Sequence, residues 1–76
     1  MESIERSLGR RVRRLRLSMG WTQEELASRC GKHWTYIGGI ERGERNPTLR
    51  VLACLAKAFS IPLARLLSFR KDGKRL

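Results

Sequence analysis

The chain has 76 residues, and its 17 Lys and Arg against 7 Asp and Glu leave a net charge of +10. A chain this short buries only about 60% of its unfolded surface, which leaves little room for an enclosed substrate pocket and argues against an enzyme. A hydrophobic content of 41% supports one packed core and argues against a wholly disordered basic chain. The charge predicts a polyanionic partner, first nucleic acid and second an anionic membrane surface.

Residues 4–19 predict the first amphipathic helix. At about 100° per residue, its apolar side chains form one stripe. The stripe consists of Ile4, Leu8, Val12, Leu15 and Met19. A cationic sector faces the other way and contains Arg6, Arg10, Arg13 and Arg14. These arginines are either a solvated surface or a set of phosphate contacts.

The second helix has a well-defined start. Gly20 suits a left-handed end to the first helix, and Thr22 with Glu25 reads as a capping box. Trp21 before the cap and Leu26 after it fit a hydrophobic staple. This helix points Leu26, Ala27 and Cys30 inward and ends at Gly31.

A third helix is predicted from about His33 or Trp34 to Arg42, with Ile37 and either Ile40 or Glu41 at core spacing and Gly43 as its end. Two short helices joined by a turn of about three or four residues that contains glycine are typical of a helix-turn-helix unit.

Two more helices complete the predicted fold. The fourth begins at residues 46–48, and its apolar face is formed by Leu49, Leu52, Ala53, Leu55, Ala56 and Phe59. The fifth begins at residues 61–62 and carries Leu63, Leu66 and Leu67. Residues 1–69 are therefore predicted to form one all-α domain without strands, followed by a basic, flexible tail over 70–76.

No stretch approaches the roughly 18–20 apolar residues that cross a bilayer, and the first ten residues lack the apolar run of a secretory signal. We therefore expect a cytoplasmic protein whose Cys30 and Cys54 stay reduced as small core residues. Cys30 and His33 make only half of a metal site, so we expect neither a metal nor another cofactor. His33 also lacks an obvious acid to orient it for catalysis.

Several of these segments together resemble the phage-repressor-like, or XRE, family of helix-turn-helix regulators. The similarity covers about residues 8–68 and includes the capped segment 20–27, Gly31, residues 36–37, the Ile-Glu-Arg-Gly segment 40–43 and residues 45–48. The segment 35–42 is most similar to restriction-modification controller proteins, which are small dimeric regulators. The resemblance implies a five-helix, lambda-repressor-like domain with its helix-turn-helix in helices 2 and 3.

The resemblance implies that the third helix enters the major groove of DNA and places its N-terminal residues on base edges. Trp34 and Thr35 fall at base-reading positions, with Gly38 and Gly39 one turn later. Trp34 could instead be a core aromatic. The glycines either let the backbone approach the groove or only weaken the helix, so we expect a large share of the affinity to come from phosphates.

Further roles follow from the same resemblance. The expected phosphate contacts are Gln23, Tyr36, Arg42, Arg45 and Asn46. Arg16 and Glu41 are expected to form a partly buried structural ion pair, and are for that reason not counted as DNA contacts. His33 stands at the cap of the third helix, where the family usually has Ser, Thr or Asp.

The sequence therefore predicts a nucleoid-associated transcriptional regulator, a repressor or controller protein, that binds double-stranded DNA as a homodimer. Its operator would have two-fold-related half-sites about 34 Å apart. Leu63, Leu67 and Phe69 are the expected dimer contacts. The alternative is an antitoxin whose main partner is a toxin protein and whose DNA binding is autoregulatory. Neither a membrane nor a small-molecule effector is expected as a partner.

Overall fold

The structure, a computed structural model, describes residues 2–69 and shows five helices in that range. They are α1 (Ile4–Ser18), α2 (Gln23–Arg29), α3 (Trp34–Glu41), α4 (Leu49–Ala58) and α5 (Leu63–Leu66). The predicted all-α class and the order of the helices are confirmed. The tail predicted over 70–76 lies outside the described residues.

The helix starts follow local hydrogen-bonding signals. Thr22 Oγ1 accepts from the backbone N–H of Glu25 at 3.1 Å, and a Glu25 carboxylate oxygen accepts from the N–H of Thr22 at 2.8 Å. The predicted capping box is thus confirmed. In the turn between α2 and α3, Gly31 has φ +63°, a conformation that costs a residue with a Cβ about 1–2 kcal/mol.

The core lies between all five helices. Its fully buried side chains are Val12, Leu26, Ile37, Ile40, Leu55 and Leu66. Trp21 joins this core from its edge by stacking on Phe59, with ring centroids 5.9 Å apart. One shared core therefore connects the second and third helices to the other three.

Several residues predicted for the apolar faces are exposed instead. Ile4 is 69% exposed and Met19 is 44% exposed, because they stand at the two ends of α1, beyond the part that packs on α3. Leu49 and Ala53 are also exposed. They lie on the edge of α4 turned away from Val51 and Leu55, which face the core.

The helices α1 and α3 approach closely at Gly9. A Cβ at this position would lie 2.3 Å from the carbonyl oxygen of Ile40 and 2.6 Å from that of Glu41. Arg11 makes a second connection, since its guanidinium donates to the carbonyl oxygens of Arg65 at 2.8 Å and Leu66 at 3.3 Å. The first helix therefore supports both the helix-turn-helix and the short last helix.

Candidate nucleic-acid interface

The N-terminal end of α3 projects from the domain surface. Trp34 is 46% exposed, and His33 and Thr35 are exposed beside it. Trp34 is therefore not a core residue, and of the two interpretations of this side chain the surface one agrees with the structure. The N-terminal face of α3 offers a hydroxyl, an imidazole and an indole to whatever approaches it.

His33 is the side-chain cap of this helix. Its Nδ1 accepts from the backbone N–H of Thr35 at 3.2 Å and lies 2.9 Å from Thr35 Oγ1. The His33 and Trp34 rings stack, with centroids 5.8 Å apart and planes 30° from parallel. The sequence showed His33 at the cap position but gave no sign of its contact with the Thr35 hydroxyl.

Gly38 and Gly39 are covered by side chains. A Cβ on Gly38 would lie 3.0 Å from an Nη of Arg42 and 3.5 Å from Oε1 of Gln23, and a Cβ on Gly39 would lie 3.0 Å from Cγ of Arg45. The absence of side chains at these two positions lets the two arginines lie against α3.

Three helices are joined by a polar network around Glu41. Arg16 donates to both of its carboxylate oxygens, from Nε at 2.7 Å and from an Nη at 3.1 Å, and Gln23 Nε2 donates to Oε1 at 3.1 Å. Arg16 is 7% exposed and Glu41 9% exposed. The hydrogen bond to Glu41 raises the pKa of Arg16 above its ordinary value.

Gln23, predicted as a phosphate contact, thus has a structural partner that sequence reasoning missed. Residues 18 positions apart in the chain give no local signal for such a pair. One N–H of the Gln23 amide serves Glu41, and the other amide hydrogen and the carbonyl oxygen are left for other partners.

Cationic groups lie at both ends of α3. Cζ of Arg45 lies 5.4 Å and Nζ of Lys32 lies 5.5 Å from the ring centroid of Tyr36, close enough for cation–π contacts. Arg42 pairs with Glu44 at 3.1 Å, which lowers the pKa of Glu44. Arg45 and Asn46 are exposed, and together with Arg42 they lie at the C-terminal end of α3 and in the loop after it. The other two predicted phosphate contacts lie elsewhere, Tyr36 in the first turn of α3 and Gln23 at the start of α2.

A second cationic surface runs along α1. Arg6, Arg10, Arg13 and Arg14 are all exposed, which confirms the predicted cationic sector. Glu2 pairs with Arg10 at 3.2 Å, and Arg6 donates to the carbonyl oxygen of Arg42 at 3.4 Å. Arg6 therefore links this surface to the C-terminal end of α3.

Two of the three predicted dimer contacts line an apolar groove. Leu67 is 39% exposed and Phe69 is half-buried, and both line the groove together with Ile4, Leu8 and Leu52. Leu63 is half-buried against the core. Ile4, which the periodicity placed in the core, is one of the most exposed apolar side chains in this groove.

Both cysteines are free thiols and half-buried. Burial and contact with Cys54 raise the pKa of Cys30 to about 12. Within residues 2–69, no three His, Cys, Asp or Glu side chains lie close enough together to hold a metal ion.

Among the helices in the described part of the chain, none has the length and apolarity needed to cross a bilayer.

A short capped helix, a glycine turn and a second helix with an exposed N-terminal end, supported by three further helices, define a helix-turn-helix DNA-binding domain. A family model described as helix-turn-helix matches residues 12–66. The chain therefore belongs to the XRE-type helix-turn-helix family of DNA-binding transcriptional regulators.

Three similar proteins are controllers. The chain is 45% identical to control protein C.SmaI of Serratia marcescens over 86% of this chain and 77% of that protein. It is 40% identical to control protein C.BamHI of Bacillus amyloliquefaciens over 93% of this chain and 89% of that protein. The crystal structure of the restriction-modification controller protein C.AhdI from Aeromonas hydrophila superposes with a TM-score of 0.79 and 40% identity, covering 82% of this chain and 94% of that one.

Proposed function

We propose that this protein is a controller-type transcriptional regulator that binds a two-fold-related DNA operator as a homodimer. The observation that carries the proposal is the exposed N-terminal end of α3, where Trp34 and Thr35 project from a helix anchored by the buried pair of Arg16 and Glu41. A rigid, exposed helix end of this kind fits the major groove of B-DNA, which is about 12 Å wide.

In this proposal, direct readout depends on Trp34 and Thr35. Trp34 offers an indole N–H and a flat apolar face, and Thr35 offers a hydroxyl and a methyl group that can touch a thymine methyl. The backbone at Gly38 and Gly39 comes near the groove after the side chains of Arg42 and Arg45 move from the helix to phosphates.

Phosphate contacts would supply much of the affinity. Gln23 lies in the first turn of α2, next to a helix N-terminus that favours anions. Tyr36, Arg42, Arg45 and Asn46 lie along α3 and the following loop. Such contacts set the position of the protein on the duplex without reading its sequence.

The apolar groove beside α5 supports the dimer. A single domain makes too few base contacts to select one site in a genome, so a second copy is the expected remedy. Leu63, Leu67 and Phe69 would contact a second copy here, and Ile4 adds exposed apolar surface to the same groove.

The operator is tested by selecting bound sequences from random duplex DNA. We expect a motif with two related halves whose centres are about one helical turn apart. Enrichment of no motif, together with binding that weakens steeply with salt, would identify a non-specific DNA binder instead.

The dimer is tested by sedimentation, with and without DNA, at tens of micromolar protein. We expect a dimer for the wild type and a monomer for Leu67→Asp. A substitution at Ile61 would not be a suitable control, because Ile61 packs on the core. Ser68→Asp, an exposed neighbour, is the matched control and should stay dimeric. A wild-type monomer under both conditions would contradict the proposal. Copurification of a toxin-sized protein would favour the antitoxin alternative.

A further inference from the structure

The cap of α3 fixes the proton arrangement of two side chains. Nδ1 of His33 accepts the backbone N–H of Thr35 at 3.2 Å. A ring nitrogen that accepts a hydrogen bond carries no proton, so the neutral imidazole has its hydrogen on Nε2.

The same nitrogen lies 2.9 Å from Thr35 Oγ1. Because Nδ1 has no hydrogen to give, this contact is a hydrogen bond only when the Thr35 hydroxyl donates to it. A threonine hydroxyl can otherwise rotate and either donate or accept. In that arrangement the single in-plane lone pair of Nδ1 is shared by the N–H and the hydroxyl of Thr35. The hydroxyl hydrogen is then directed to His33, and the lone pairs of Oγ1 remain for other donors.

The surroundings hold this arrangement in place. The His33 ring stacks on Trp34, with centroids 5.8 Å apart, so its orientation is set by the ring contact as well as by the cap. Thr35 itself is exposed, so its side chain can meet a partner.

We propose that His33 is a specificity-determining positioning residue that makes the Thr35 hydroxyl an obligate hydrogen-bond acceptor toward DNA. In the major groove, adenine N6 and cytosine N4 are donors, whereas guanine O6 and thymine O4 are acceptors. Thr35 therefore selects adenine or cytosine over guanine or thymine on the strand that it reaches. The inference rests on the proposed function, because it needs α3 in the groove.

The test compares the preferences of variants at each position of the selected motif. Thr35→Val removes the hydroxyl and keeps the shape, so the position at which it loses discrimination is the one that Thr35 reads. At that position we expect the wild type to prefer adenine or cytosine over guanine or thymine by about five- to tenfold, the effect of one hydrogen bond.

His33→Ser separates the cap from the hydroxyl contact. Serine is a good N-cap residue, but its short side chain frees the Thr35 hydroxyl to rotate. We expect His33→Ser to reduce the preference to less than about twofold at that one position, since a freely rotating hydroxyl serves donors and acceptors alike. A loss of helix stability alone would weaken all duplexes equally and leave the preference intact.

The double variant completes the experiment. If His33 acts through Thr35, His33→Ser has no further effect on discrimination in the Thr35→Val background. An additional effect there would mean that His33 contacts a base itself, and would overturn the inference.

The remaining outcomes are also decisive. A wild-type motif with unchanged base preference in His33→Ser, or no position that responds to Thr35→Val, would overturn the inference alone. A wild type that selects no motif would overturn the proposed function and the inference with it.

Discussion

At the scale of single residues, the attachment of α3 to the domain depends on Glu41. Its carboxylate receives two hydrogen bonds from Arg16 and one from Gln23, and both charged partners are almost fully buried. Removing one charge of a buried pair leaves the other uncompensated, which costs far more than the pair itself contributes. The exposed pair of Arg42 and Glu44 offers an internal comparison.

We therefore predict that Glu41→Gln lowers the free energy of unfolding by about 3–5 kcal/mol, while Glu44→Gln changes it little. Glutamine keeps the shape of the side chain but leaves the Arg16 guanidinium without a countercharge. Urea denaturation followed by circular dichroism measures both variants. Equal effects of the two substitutions would show that burial does not matter to this pair.

The residue scale also marks a limit of sequence reasoning. The pairing of Arg16 with Glu41 followed from family resemblance, and the structure shows its geometry. The hydrogen bond from Gln23 and the contact between His33 and Thr35 depend on side-chain orientation, on which residue type and spacing carry no information. The sequence also left the environment of Trp34 open, since an aromatic residue at a helix start is compatible with the core or the surface, and the structure places it on the surface.

At the scale of elements, helix starts were predictable because capping signals are local. Thr22 and Glu25 are three residues apart and exchange the two hydrogen bonds that the sequence indicated. The extent of each apolar face was less predictable. Ile4 and Met19 continue the period of α1, but the partner helix does not reach that far.

The capping box gives the first prediction for elements. We expect Thr22→Ala to lower the free energy of unfolding by about 1 kcal/mol, because the N–H of Glu25 loses its acceptor. The matched control is Ser28→Ala, which removes an exposed hydroxyl inside the same helix and favours the helical state slightly. Thermal unfolding monitors both variants. A control that loses as much as Thr22→Ala would argue against the cap.

The contact between α1 and α3 gives the second prediction at this scale. Gly9→Ala places a methyl group against backbone carbonyls of α3, which cannot move without separating the helices, so we expect a loss of about 1–3 kcal/mol. In Gly38→Ala the methyl group meets the flexible end of Arg42, and helix propensity gains up to about 1 kcal/mol. In denaturant unfolding, the free energy of unfolding should thus fall for Gly9→Ala and rise for Gly38→Ala. Destabilisation of the same size in both would contradict the close approach.

Gly38→Ala also distinguishes the two interpretations of the glycines. If the backbone of α3 approaches the groove at this position, the added methyl group weakens DNA binding in a protein that is at least as stable as the wild type. Unchanged affinity in a more stable protein would mean that Gly38 only weakens the helix. Binding and stability measured on the same preparation decide between them.

At the scale of the whole molecule, charge predicted the partner class but not the surface that meets it. Cationic side chains occur both around α3 and along α1. Two of them are already paired within the domain, Arg10 with Glu2 and Arg42 with Glu44. Composition counts all of these groups alike, whereas the proposed phosphate contacts use only those at the C-terminal end of α3 and in the loop after it.

The salt dependence of DNA affinity separates the two surfaces. Each phosphate neutralised by a protein cation adds about 0.9 to the slope of log affinity against log salt concentration. Arg45 lies beside Tyr36 near the C-terminal end of α3, so we expect Arg45→Gln to reduce the slope by about 1. Arg14 lies roughly opposite the buried Val12 on α1, so Arg14→Gln should leave the slope unchanged.

Binding titrations of the wild type and the two variants, on one duplex and over a range of salt concentrations, measure these slopes. Both variants lose the same charge, so a difference between them reports position rather than net charge. Equal reductions in slope would place the outer face of α1 on the phosphates as well, and the DNA would then have to contact two sides of the domain. A reduction for Arg14→Gln alone would move the interface from α3 to α1 and contradict the proposed mode of binding.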